Sequence, residues 1–271
     1  MAFDLDSVQK DIRKLRSFLR RWPKHATPKQ VHSLRTTIRR FEAAMQALAL
    51  DSNANERRLL RKLAKLRRRA GKVRDLDVLT GYIAGLKTGE EDCVVQLLEY
   101  LGAEHAHRSL RLYSFAVKHG GSLRRRLKRT ATDLQTLSLD SIASQTAPGH
   151  AMLSELRLQR ELTEPVRLTR HNLHPYRLQI KELRYMLEME KDPADRGLIE
   201  TLGQVKDAIG EWHDWQQLVI IARDRLPHGS KCKLISLLQK TTQKKLKAAI
   251  ARANAGRQQI RRSAARTNGN A

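Results

Sequence analysis

Two histidines in this chain head the same spacing of cations. His32, Arg35 and Arg39 in the first half, and His174, Arg177 and Lys181 in the second, both read H-x-x-R-x-x-x-[RK]. On a helix, at about 100° per residue, these positions share an arc of roughly 60°. Cations stacked on adjacent turns repel one another unless they share an anion. Arginine offers phosphate oxygens a planar fork, lysine a mobile point charge, and histidine a donor whose charge depends on pH. The chemistry on offer is anion binding. Arg184 prolongs the second face, where the first has Glu42.

A second correspondence follows each histidine. Gly71-Lys72-Val73-Arg74-Asp75-Leu76-Asp77-Val78-Leu79 aligns with Gly210-Glu211-Trp212-His213-Asp214-Trp215-Gln216-Gln217-Leu218. The histidines stand 142 residues apart and the glycines 139, so the halves differ by a three-residue indel. If the helix runs on through Gly71, Arg74 and Asp77 fall on or beside the apolar stripe Leu59, Leu63, Leu66 and Ala70. His213 and Gln216 stand likewise beside Leu198, Leu202, Val205 and Ile209. Polar groups on a buried seam need partners, which predicts an Arg-Asp lock for Asp75, Asp77 and Asp214. Arg74 and His213 are also placed to look into an interior groove.

His213-Asp214, with His174 and Asp224, loosely resembles the metal-dependent HD phosphohydrolases. Position 74 of the other copy is arginine, which ligates no metal, and a divalent cation is expected among carboxylates rather than on a cationic face. The chain has no GxxxxGK[ST], GxSxG or HExxH motif. The expectation is no metal, no cofactor and no catalysis, with a metal-dependent phosphohydrolase as the least favoured alternative.

The elements that must carry these residues are helices. Val31, Leu34, Ile38, Phe41 and Met45 stand at the same five offsets from His32 as Leu173, Tyr176, Ile180, Leu183 and Leu187 from His174. Similar periodicity runs almost throughout, and the chain reads as all-α. Helices are predicted over about 4–21; 28–50, with Thr27 as N-cap and Pro28 in the first turn; 56–86, bent near Gly71; and 90–118 and 122–137, split at Gly120-Gly121. In the second half they are predicted over about 151–163, 165–190, 193–226 with a break near Gly210, and 230–253. The halves are then about 4–137 and 151–253, joined by a linker at about 138–150, with a basic disordered tail at 254–271.

Composition bounds the partner. Lys plus Arg number 53 against 28 Asp plus Glu, a formal charge of +25, and so large an excess calls for a polyanion to neutralise it. Aromatics are only 4%, which argues against the stacking platforms of single-stranded nucleic-acid sites. Cys93 and Cys232 lie far apart without a CxxC pair, so a reducing, cytoplasmic setting is expected. The acidic N-terminus is unlike a signal peptide, and no apolar run approaches the roughly 20 residues of a spanning helix.

Taken together, the H-x-x-R-x-x-x-[RK] helix, the V-R-D-L-D-V run and their second copies resemble the CHAD domain, the conserved histidine α-helical domain, over about residues 5–250. The resemblance implies two four-helix bundles related by pseudo-twofold symmetry, with a basic central groove or pore that binds inorganic polyphosphate. It further implies an association with polyphosphate granules. Carried over, the basic lining falls on His32, Arg35, Arg39 and Arg40 in the first half and on His174, Arg177, Lys181 and Arg184 in the second. Arg74 and His213 match the second motif, and Lys65, Arg68 and Lys206 follow from the helices leading into it. The sequence departs from the pattern at Pro175, after His174, and at the acids Glu42 and Glu182; Trp212 and Trp215 read as packing residues. A general nucleic-acid binder is the competing reading. It places most of the affinity in the tail.

Overall fold

The structure, a computed structural model, describes residues 5–47, 54–87, 89, 91–136, 148–188, 196–226 and 233–269. Among these there are eight helices and no strand, in agreement with the all-α reading. They are α1 Leu5–Arg20, α2 Pro28–Ala47, α3 Ala54–Ala84, α4 Glu91–Thr136, α5 Pro148–Thr163, α6 Leu173–Glu188, α7 Arg196–Arg225 and α8 Lys233–Gly269. No helix among the described residues is long and apolar enough to cross a membrane.

The chain forms two compact units. One comprises residues 2–85 and 98–148, and the other 86–97 and 149–271. The boundary therefore falls inside α4, whose first turns belong to the second unit. Most of the predicted linker, 138–147, lies outside the described residues, and 148–150 open α5.

In the first unit the predicted stripes become the core. Val8, Ile12, Leu15 and Leu19 of α1 pack with Val31, Leu34, Ile38, Phe41 and Met45 of α2 and with Leu59, Leu63, Leu66, Ala70 and Val73 of α3. The start of α2 is a reciprocal capping box. The Gln30 amide donates to Thr27 Oγ1 at 3.3 Å, and the Thr27 amide donates to Gln30 Oε1 at 2.8 Å, which satisfies two otherwise orphaned donors. The helix α3 runs unbroken through Gly71.

The predicted split at Gly120-Gly121 is absent, because α4 is continuous over 46 residues. Gly120 is buried, and a Cβ there would lie 2.9 Å from the Leu19 carbonyl oxygen. The glycine permits a close approach of α1 rather than a turn.

The second unit keeps one half of this device at the corresponding place. The Thr169 amide donates to Asn172 Oδ1 at 2.7 Å, and the Leu173 amide to the Thr169 carbonyl at 3.1 Å. The predicted helix over 165–190 is thus corrected: helix begins only at Leu173, and Leu168 is buried on the segment before it. The break expected near Gly210 does not occur in α7.

The tail is the larger correction. It is helical to Gly269, because Ala249, Ala253, Gly256 and Ile260 continue a buried stripe against α7. Gly256 lets the helices close, since a Cβ there would meet Val205 Cγ2 at 2.5 Å. Arg257 donates to the carbonyls of Leu162 at 3.1 Å and Val166 at 3.0 Å, and Arg261 to that of Thr163. These cations cap the last carbonyls of α5, where the helix dipole favours them. A basic composition read as disorder conceals a small-residue packing seam.

Candidate anion-binding faces

Helices α6 and α7 of the second unit face each other in an antiparallel ladder. His174, Arg177, Lys181 and Arg184 on α6 descend at the spacing with which Gly203, Lys206, Gly210 and His213 ascend on α7. At one end the rings of His174 and His213 lie 5.8 Å apart between centroids, inclined at 38°. One turn along, Arg177 lies across Gly210, where a Cβ would come 2.6 Å from Nη2 and 3.2 Å from Cζ. Its Nε donates to the Lys206 carbonyl at 3.1 Å, which fixes the plane of the guanidinium. At the far end Arg184 lies over Gly203, 3.7 Å from the corresponding Cβ position, and pairs with Glu188 at 2.5 Å.

The two glycines are therefore seats for arginines. Sequence reasoning singled out Gly210 as the start of a motif and as a helix break, not as a seat for an arginine, and it missed Gly203. The signal was present: both glycines stand at ladder positions opposite arginines.

His174 reaches solvent, yet its pKa is held below the ordinary histidine value, by partial desolvation first and then by His213, Arg177 and Lys181. This gathers four predicted residues around one point of positive potential. Lys206 contributes its carbonyl to Arg177, while its ammonium pairs with Asp207 at 2.9 Å. Asp214 stands beside its neighbour, 3.7 Å from His213 Nδ1. Among the described residues no three His, Cys, Asp or Glu side chains are gathered as a metal ion requires.

The first unit repeats one of these contacts. Arg35 lies against Gly71, with Nε 3.7 Å from the Cβ position. His32 is exposed on the same helix, and Arg39 and Arg68 act on Glu42. That acid, the departure noted above, is neutralised by Arg67 at 2.6 Å. Burial raises its pKa, against the lowering effect of Arg67, Arg39 and Arg68. Glu182 is exposed and acts on Arg157 of α5.

Two of the expected residues have other surroundings. Arg40 is held in a two-pronged bond by Asp11 of α1, with Nη2 to Oδ1 at 2.7 Å and Nε to Oδ2 at 3.1 Å; Asp11 is buried, so Arg40 is a structural brace. Lys65 is exposed on α3 and adds to the positive potential at His119 of α4. The expected lock at Asp77 forms with a different partner. His105 of α4 meets it at 3.0 Å, with Arg74 a second favourable charge, while burial raises its pKa. Trp212 and Trp215 are buried, as packing residues should be.

Substituting Gly210 by alanine should displace the Arg177 guanidinium while leaving the fold intact, because the atoms in the way end a flexible side chain. Melting temperature should hardly move, whereas affinity for a phosphate polymer should fall about tenfold, the loss of one charge-assisted bond. Gly203→Ala, with looser contacts, should cost less; calorimetric titration of both variants checks the order.

Comparison with known proteins bears on these faces. A family model described as CHAD domain matches residues 6–223. A crystal structure of the CHAD domain from the plant Ricinus communis is similar at 15% identity with a TM-score of 0.57, over 92% of this chain and 88% of that one. No curated protein matches the chain.

Proposed function

Because the chain belongs to the CHAD domain family, we propose that it binds inorganic polyphosphate through these helix faces and does not cleave it. The observation that carries this reading is the arginine seated on glycine at matching places in both units, Arg35 on Gly71 and Arg177 on Gly210. An arginine fixed in this way meets a phosphate without first losing side-chain freedom. Polyphosphate carries about one charge per phosphate and has no bases to stack on, so it needs a cationic track rather than an aromatic ladder.

The proposal includes two four-helix bundles, pseudo-twofold related, whose faces share one groove, and an association with polyphosphate granules. Stoichiometry tests the shared groove: one long chain should saturate one protein molecule. Competition tests the ligand. Labelled polyphosphate should be displaced far more readily by unlabelled polyphosphate than by single-stranded DNA or heparin of equal charge. Equal displacement would favour general nucleic-acid binding. Release of phosphate from polyphosphate with Mg²⁺, Mn²⁺ or Zn²⁺ would defeat the non-catalytic part.

Binding should weaken steeply with salt through counterion release. It should also strengthen as pH falls. His174 in the free protein titrates below the ordinary histidine value, and a bound polyanion raises its pKa. Affinity therefore rises as pH drops through the bound-state pKa and levels off below the free-state one. Titrations between about pH 5 and 8 check this, and His174→Gln should flatten the profile.

A further inference from the structure

The opposite side of α3 carries a basic cluster that the faces above do not use. Lys62, Lys65 and Arg69 follow one another along α3 at a spacing that keeps them on one side, and Phe115, Lys118, His119 and Ser122 of α4 stand against them. Two of the cations are held in place. The Lys62 ammonium donates to Ser122 Oγ at 3.0 Å. The Arg69 guanidinium lies over the Phe115 ring, 4.2 Å from its centroid, and donates to the Lys65 carbonyl at 3.3 Å. The other side of Phe115's neighbourhood is His119, with ring centroids 4.4 Å apart.

The charged groups acting on His119 are all cations: Lys62, Lys65 and Arg69 from α3, and Lys118 from its own helix. Helix α1 approaches through the Leu19 carbonyl, beside Gly120. Four cations acting on one imidazole, two of them held beside it by Ser122 and Phe115, repel one another, and a bound anion removes that cost. Cation–π stacking and the serine contact orient two of them in advance, which lowers the ordering entropy of binding.

We propose that this α3/α4 face is a second anion site, which takes a single phosphate group on Lys62, Arg69, Lys118 and His119. The site goes beyond the polyphosphate-binding faces and does not depend on them. Desolvation and the four cations keep the His119 pKa below the ordinary value, so a bound phosphate should pull it up.

The test is an NMR pH titration of the histidine Cε1 protons in the full chain, with the His119 signal assigned by its loss in His119→Gln. At constant ionic strength, orthophosphate or tripolyphosphate should raise the His119 midpoint by about one unit relative to chloride. A response to orthophosphate identifies free phosphate as sufficient. A response to tripolyphosphate alone identifies the end group of a phosphate chain. Lys62→Gln with Arg69→Gln should abolish the shift, and Arg35→Ala with Arg177→Ala should leave it. A midpoint equal in phosphate and chloride, or a shift that survives loss of Lys62 and Arg69, overturns the proposal, whatever the polyphosphate affinity proves to be.

Discussion

Cutting the chain before Asn254 should strongly destabilise the second unit rather than trim a free end. The cut removes Ile260, fully buried in that core, and the Gly256 contact with Val205. It also uncovers the α5 carbonyls that Arg257 and Arg261 cap. Burial of an isoleucine contributes about 1.5–3 kcal/mol, and each arginine–carbonyl bond about 1 kcal/mol at this exposure. A loss of about 4.5–6 kcal/mol is a large part of a domain's net stability of about 5–15 kcal/mol. Circular dichroism should show an early or non-cooperative melt. Arg262→Gln, which removes tail charge at an exposed position, should melt as the parent does. An unchanged melt of the truncated chain would show that the α8 seam carries no stability. Deletion of the tail is consequently a poor test for nucleic-acid binding, since loss of fold and loss of charge coincide; Arg262→Gln is the appropriate variant.

The double substitution Arg35→Ala with Arg177→Ala should reduce polyphosphate affinity by about 100-fold or more. A hydrogen bond to a charged group contributes about 1.5–3 kcal/mol, or about 10- to 100-fold for each arginine. The control is Arg40→Ala, on the same helix as Arg35, equal in charge but different in role. It should leave affinity nearly unchanged and lower stability by about 1–3 kcal/mol, because Asp11 is then buried without its partner. Fluorescence-based binding and thermal melts on the same samples separate the two effects. If Arg40→Ala weakens binding as much as Arg35→Ala does, Arg40 belongs to the ligand and not to the brace.

How far each part could be read depends on the range of the interactions behind it. Helix type and the buried stripes follow from periodicity, a local property, and Val31 to Met45 and Leu173 to Leu187 are buried as their spacing requires. The α2 start follows from Thr27 and Pro28 for the same reason. Glycine misled in two places, at Gly120 and Gly210, because a glycine that breaks a helix and one that admits a neighbour are the same residue in sequence. Only the neighbour distinguishes them: the Leu19 carbonyl and Arg177. Basic residues misled likewise. Arg257 and Arg261 look like solvated tail charge until the end of α5 is placed beneath them.

The sequence by itself determined an all-helical chain with two histidine-headed cationic faces, since both follow from spacing along one helix. It also carried the family, through motifs whose residues are contiguous. Tertiary structure alone decided what holds those cations. Arg40 pairs with Asp11, and Arg177 takes its seat on Gly210. A side chain's role is set by the lowest-energy partner within reach, and those partners lie on other helices, at distances in the chain that no local pattern records.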